Sequence, residues 1–107
     1  MRKVLFVCSR NRLRSPTAEQ VFSTRRGLEV ASAGTNHDAD VPLTGDLVAW
    51  ADIVFVMERV HAAKLRQRFG KHMKSTRLVC LDIPDDYAFM DPALVALLES
   101  KVARHLR

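Results

Sequence analysis

Two cysteines in 107 residues are too few to staple a small secreted scaffold. Long hydrophobic runs are also missing. Ile53-Val54-Phe55-Val56-Met57 falls far short of the roughly 20 apolar residues that cross a bilayer. The stretch Val4-Leu5-Phe6-Val7, between basic segments, is too short for the core of a signal peptide. Four glycines and four prolines are scattered and form no linker, repeat or low-complexity tract. These absences predict one soluble, cytoplasmic domain over residues 1–107, without membrane contact. Apolar residues, at 48%, exclude disorder and suffice for a core at this length without metal or disulfide. Lys and Arg outnumber Asp and Glu by 17 to 12. That excess favours anionic partners such as nucleic acid, acidic protein or phosphate esters, provided the charge is gathered in one place.

The chain alternates short apolar runs with helical patterns. Strands are predicted at Lys3–Val7, Leu28–Ala33, Ile53–Met57 and Arg77–Leu81. A helix is predicted over Pro16–Arg26, with Ala18, Val21 and Phe22 on one face and Gly27 as its stop. Thr44 suits an N-cap, with Leu43 and Val48 stapled across it. His61, Leu65 and Phe69 recur at helical spacing over Arg59–Phe69. Asp91-Pro92 opens a last helix whose buried stripe is Leu94, Leu98, Val102 and Leu106. Strand-helix alternation with apolar strands means a parallel sheet with right-handed crossovers. Such sheets bind ligands at the carboxyl ends of their strands, where the strand order reverses. The first strand-to-helix loop is therefore the first place to look for chemistry.

That loop reads Cys8-Ser9-Arg10-Asn11-Arg12-Leu13-Arg14-Ser15-Pro16, so the positive charge is concentrated there. A tight loop whose N–H groups converge at a helix N-terminus makes an anion cradle. A cysteine inside it is favoured as thiolate by the same donors. Arg14 offers a planar fork matching two oxygens of a phosphate. Ser15 is placed to cap the helix and to donate its hydroxyl to the sulfur. Asn11 is placed to hold left-handed dihedrals and bond to the loop backbone. By itself a cysteine and arginine five residues apart is a weak signal; the apolar strand before and Ser-Pro helix start after give it its weight. Phosphate or sulfate is the expected ligand of this loop.

Val4-Leu5-Phe6-Val7-Cys8, Asn11, Arg14-Ser15-Pro16, Ala18-Glu19 and Val21-Phe22 together resemble the low-molecular-weight protein tyrosine phosphatases. The resemblance extends to Ser32-Ala33-Gly34-Thr35 and to Ala51-Asp52-Ile53-Val54-Phe55-Val56-Met57, with His61 and Leu65 beyond. It implies one three-layer α/β domain, a four-stranded parallel sheet of flavodoxin-like, phosphatase-I type with helices on both faces. It also implies a phosphatase without cofactor or metal, acting through a phosphocysteine. Cys8 would be the nucleophile and Arg14 the phosphate ligand. Ser9, Arg10, Asn11, Arg12, Leu13 and Ser15 would bind substrate or support the loop. The expected substrate is a phosphorylated protein or a small phosphomonoester. The chain departs from the family in carrying Arg10 for a usual glycine and Leu13 for a second cysteine. The stretch between Thr35 and Ala51 is short and lacks the aromatic residue that walls the phenol slot in tyrosine-specific members.

Expelling an alkoxide or phenoxide calls for a proton donor. Asp82-Ile83-Pro84-Asp85-Asp86-Tyr87 follows the fourth strand at the same sheet edge as Cys8. The resemblance selects Asp85 as the acid, with Asp82 and Asp86 as alternatives. Tyr87 or Phe89 is placed to flank a substrate ring, with a core position the other reading of Phe89. His37, Asp38 and Asp40 read as a solvated loop rather than a metal site. His61 is expected at the surface or partly buried, without a catalytic part. Cys80 reads as a small buried hydrophobe; were it to approach Cys8, a protective disulfide or thiol-dependent arsenate reduction would follow. A non-catalytic phosphate- or nucleic-acid-binding module is the remaining alternative. Nucleic acid is disfavoured because no aromatics interleave with the basic residues.

Overall fold

The computed structural model describes residues 1–106. Its elements run β1 (Arg2–Cys8), α1 (Arg14–Phe22), β2 (Leu28–Gly34), α2 (Gly45–Trp50) and β3 (Ile53–Val56). They continue with α3 (Arg59–Phe69), a 3₁₀ turn at Gly70–His72, β4 (Arg77–Cys80) and α4 (Pro92–Ala103). The four strands pair in parallel in the order β2-β1-β3-β4. Among the described residues no helix is long and apolar enough to cross a membrane.

The continuous apolar run of β1 is explained by what covers it. Side chains alternate across a strand, so Val4, Phe6 and Cys8 enter one core while Leu5 and Val7 enter the other. The first core is closed by Ala18 and Phe22 of α1 and by Leu94, Leu98 and Val102 of α4. The second is closed by Val48 of α2 and by Ala62 and Leu65 of α3. Helices thus lie on both faces of the sheet. Phe6 is fully buried, stacked on Phe22 and Phe55 at ring separations of 5.6 and 5.4 Å. Each such side chain contributes roughly 1.5–3 kcal/mol through the apolar area it removes from water.

Local signals mostly land where the pattern puts them. Thr44 Oγ1 accepts from the Leu47 N–H at 3.2 Å, and Leu43 and Val48 share one core. Asp91 Oδ1 accepts from Ala93 N–H at 2.9 Å with Pro92 in the first turn of α4. Leu106, expected in the α4 stripe, lies beyond the end of that helix and is partly buried.

The first helix differs from expectation at both ends. It begins at Arg14 and ends at Phe22, not Pro16 and Arg26. Ser15 does not cap it; Leu13 holds the N-cap position without a side-chain bond, and the Ser15 hydroxyl is spent on the loop. Pro16 is accommodated because the first turn needs no N–H donor there. After Phe22 the chain turns, and Gly27 supplies the left-handed φ of +82° that leads into β2.

Candidate active site

The β1–α1 loop lies where the strand order reverses. From β1 the chain goes to β2 on one side and returns to β3 on the other, so the carboxyl end of β1 opens into a crevice. Residues beyond β2 hold the loop's carbonyls. Cys8 O accepts from Thr35 N–H and Ser9 O from Asn36 N–H, both at 2.9 Å, and Arg10 O accepts from Asp40 N–H at 3.1 Å. No amide from Ser9 to Leu13 donates to a backbone acceptor among the described residues. Carbonyls bound outward and amides left over is the polarity that an anion requires.

Gly34 makes this approach possible. A Cβ there would lie 2.5 Å from Ser9 O and 2.6 Å from the Ala39 side chain. The strand pattern marks Gly34 only as the end of β2; its service to the loop depends on the pairing of Cys8 with Gly34.

Asn11 and Ser15 support the loop from behind rather than lining its cavity. Asn11 takes a φ of +58° and is nearly fully buried. Its amide donates to Ser15 Oγ at 3.0 Å and to Ser32 Oγ at 2.9 Å. These bonds hold a left-handed backbone that would otherwise be strained. Ser15 Oγ in turn lies 2.9 Å from Cys8 Sγ, close enough to donate to a thiolate.

Arg14 is 3% exposed, yet its charge is paired. Its Nη1 donates to Glu58 Oε2 at 2.6 Å and to Ile83 O at 2.8 Å. One corner of the guanidinium is thereby pinned; its other edge, Nε and Nη2, faces the cavity, where Nε lies 3.7 Å from the Asp85 carboxylate, so an anion would share that edge with Asp85. Glu58 does not figure among the residues picked out by motif. The available signal is an acid directly after the third apolar strand, at the sheet edge that carries Cys8.

His61 corrects the expectation drawn from its helix. It is fully buried, neither at the surface nor only partly covered. Nδ1 accepts from the Glu58 backbone N–H at 3.1 Å, and Nε2 lies 2.8 Å from Ser9 Oγ. Burial, followed by the nearby Arg14 charge, lowers its pKa to about 4, so the ring is neutral at pH 7.

A cavity of about 560 Å³ opens over the sulfur, lined by Cys8, Ser9, Arg10, Arg12, Leu13, Arg14, Asn36 and Asp85. Asn36 is a lining residue that sequence pattern did not single out. Of the three candidate acids, Asp85 lines it, with Oδ1 3.7 Å from Arg14 Nε. Asp82 adopts a φ of +53° and its Oδ1 lies 3.4 Å from Cys80 Sγ and 3.9 Å from Arg59 Nε. Asp86 is exposed outside the lining. Tyr87 packs against the core instead of the cavity. Phe89 is half exposed and so not a core residue. Arg12 pairs with Asp40 at 3.3 Å. Cys80 is partly buried rather than fully so, and desolvation raises its pKa. It stands level with Val56, which stands level with Val7. Two strand spacings are about 10 Å, past the roughly 7 Å limit between Cα atoms for a disulfide with Cys8.

The family model for low molecular weight phosphotyrosine protein phosphatase matches residues 3–44, the span that carries β1, the loop, α1 and β2. No curated protein matches the chain in sequence. Among solved structures, the YwlE arginine phosphatase from Geobacillus stearothermophilus aligns with 23% identity and TM-score 0.77 over 99% of this chain and 93% of its own. A low molecular weight phosphotyrosine phosphatase from Vibrio cholerae O395 aligns with 21% identity and TM-score 0.77, over 99% and 95%. Vibrio vulnificus Wzb, in complex with benzylphosphonate, aligns with 25% identity and TM-score 0.76, over 97% and 96%. The chain has the low-molecular-weight phosphatase fold throughout and that family's sequence pattern over residues 3–44.

Proposed function

We propose that this chain, with the fold and loop of a tyrosine-phosphatase-like enzyme, hydrolyses phosphomonoesters through a phosphocysteine. The observation that carries the reading is the presence of Cys8 and Arg14 in one cavity lined by the loop that opens α1. A phosphoryl substrate is supported by the neighbours, which include an arginine phosphatase, a phosphotyrosine phosphatase and a protein in complex with benzylphosphonate.

The Cys8 thiolate attacks phosphorus in line, forming the S–P bond while the ester P–O bond breaks. Arg14, through Nε and Nη2, and the loop amides hold the equatorial oxygens. A protonated Asp85 carboxyl gives its proton to the leaving oxygen. Water then attacks phosphorus, Asp85 takes that proton, and the S–P bond breaks to release orthophosphate. The Ser15 hydroxyl donates to the departing thiolate. Arg10 on the cavity lining, with Arg12 partly offset by its pairing with Asp40, favours a substrate with acidic surroundings. Two unpaired cysteines suit a reducing compartment, and the cytoplasm is the proposed location. The separation of Cys80 from Cys8 speaks against an electron relay of the arsenate-reducing kind.

The test is turnover of aryl and alkyl phosphates whose leaving groups span a range of basicity, p-nitrophenyl phosphate included. Cys8→Ser is expected to abolish hydrolysis of all of them. Asp85→Asn is expected to slow poor leaving groups by about 10²-fold or more while sparing good ones. Undiminished turnover in Cys8→Ser would remove the nucleophile from this account.

A further inference from the structure

The side chain of His61 makes two bonds with opposite demands. Nδ1 accepts from the Glu58 N–H and so carries no proton. A neutral imidazole keeps one, which must therefore reside on Nε2. Nε2 lies 2.8 Å from Ser9 Oγ, 52 positions away in sequence, and so donates to it. With a lone pair of Oγ already engaged, the Ser9 hydroxyl proton has to point elsewhere. Ser9 lines the cavity beside Cys8 and Arg14. A helix N-terminus needs only the bond at Nδ1; the reach of Nε2 into the loop is additional.

We propose that His61 is a positioning residue for anion recognition, which turns the Ser9 hydroxyl into a donor aimed at a phosphoryl oxygen in the Cys8 cavity. The inference rests on the phosphatase reading above. Glu58 then serves the cradle twice: its carboxylate pins Arg14, and its backbone N–H sets the tautomer that directs Ser9. Neither residue belongs to the loop motif, and both come from the start of α3.

The experiment is a double-mutant cycle on Ser9 and His61, read by inorganic phosphate. Phosphate affinity is measured both as competitive inhibition of p-nitrophenyl phosphate turnover and as protection of Cys8 from iodoacetamide. Ser9→Ala is expected to weaken phosphate about tenfold, as loss of one hydrogen bond to a charged ligand does. His61→Phe is expected to weaken it comparably when Ser9 is present and by less than twofold in the Ser9→Ala background. His61→Gln, which keeps a donor near the Nε2 position, is expected to recover part of the loss; it also serves as the cycle partner if the phenylalanine variant does not fold. An equal loss in both backgrounds, or wild-type phosphate affinity in His61→Phe, would overturn the proposal and leave the phosphatase reading intact. A wild type that neither turns over substrate nor is protected by phosphate would overturn both.

Discussion

Lowering the pH from 7 towards 4 loads a proton onto His61 in the unfolded chain before it does so in the folded one. The unfolded imidazole titrates near 6.5, while burial and Arg14 bring the folded value to about 4. Between those values the unfolded state binds more protons, so stability falls as the pH falls. The stabilising preference for the neutral ring is fully present above the unfolded pKa and is lost as pH drops through the window to the folded one. Complete loss is worth roughly 3 kcal/mol at 1.36 kcal/mol per unit, of which about 2 kcal/mol is gone by pH 5. The ring has no exposed surface, so water screens this preference only weakly. Urea unfolding of wild type and His61→Gln at pH 7 and pH 5 isolates the effect. The variant retains His105, whose pKa is also lowered, and all carboxylates, so their contributions cancel in the difference. Wild type is expected to lose about 2 kcal/mol more than the variant between those pH values. Equal losses in the two proteins would refute the neutral, buried imidazole and with it the tautomer argument for Ser9.

Other perturbations probe the scaffold of the cradle. Gly34→Ala places a methyl group against Ser9 O, a backbone atom that cannot swing aside; a thermal melt should show about 1–3 kcal/mol of destabilisation. Unaltered melting and unaltered phosphate affinity would mean that the loop is not seated as described. Glu58→Ala unpins a nearly buried guanidinium. The carboxylate is partly exposed, so the stability cost is about 1–2 kcal/mol rather than that of a fully buried pair. Its kcat/KM should fall about tenfold as Arg14 loses its orientation, and Glu58→Gln, which keeps an acceptor, should lose less. Wild-type kinetics in Glu58→Ala would show that Ile83 O alone suffices to hold Arg14.

The layers of this protein could be read from local pattern. Unbroken apolar runs at Val4–Val7 and Ile53–Val56 belong to strands covered on both faces, and their burial is complete. Thr44 and Asp91 announce their helices because capping needs only residues two or three places on. The first helix departs from its local pattern for an instructive reason. Ser15 has the chemistry of a cap, but its hydroxyl is claimed by Cys8 and Asn11, and a claim of that kind leaves no mark on local spacing.

The loop from Cys8 to Pro16 was legible as a site because nucleophile, arginine and supporting side chains all lie within one short segment. Its surroundings were not. Glu58 reaches Arg14 across 44 positions and His61 reaches Ser9 across 52, and both meetings exist only because β3 pairs directly with β1. The position of Asp82, Asp85 and Asp86 was equally nonlocal, since adjacent carboxylates in a loop have the same chemistry until backbone direction decides which one lines the cavity. Periodicity records which face of its own strand or helix a residue occupies, and from that the sequence alone determined most of the elements, the cover on both faces of the strands and the loop from Cys8 to Pro16 as the place to look for chemistry. Which distant residues complete the loop is set by strand order, and strand order is decided by the burial of the whole sheet at once, so only the tertiary structure could disclose it.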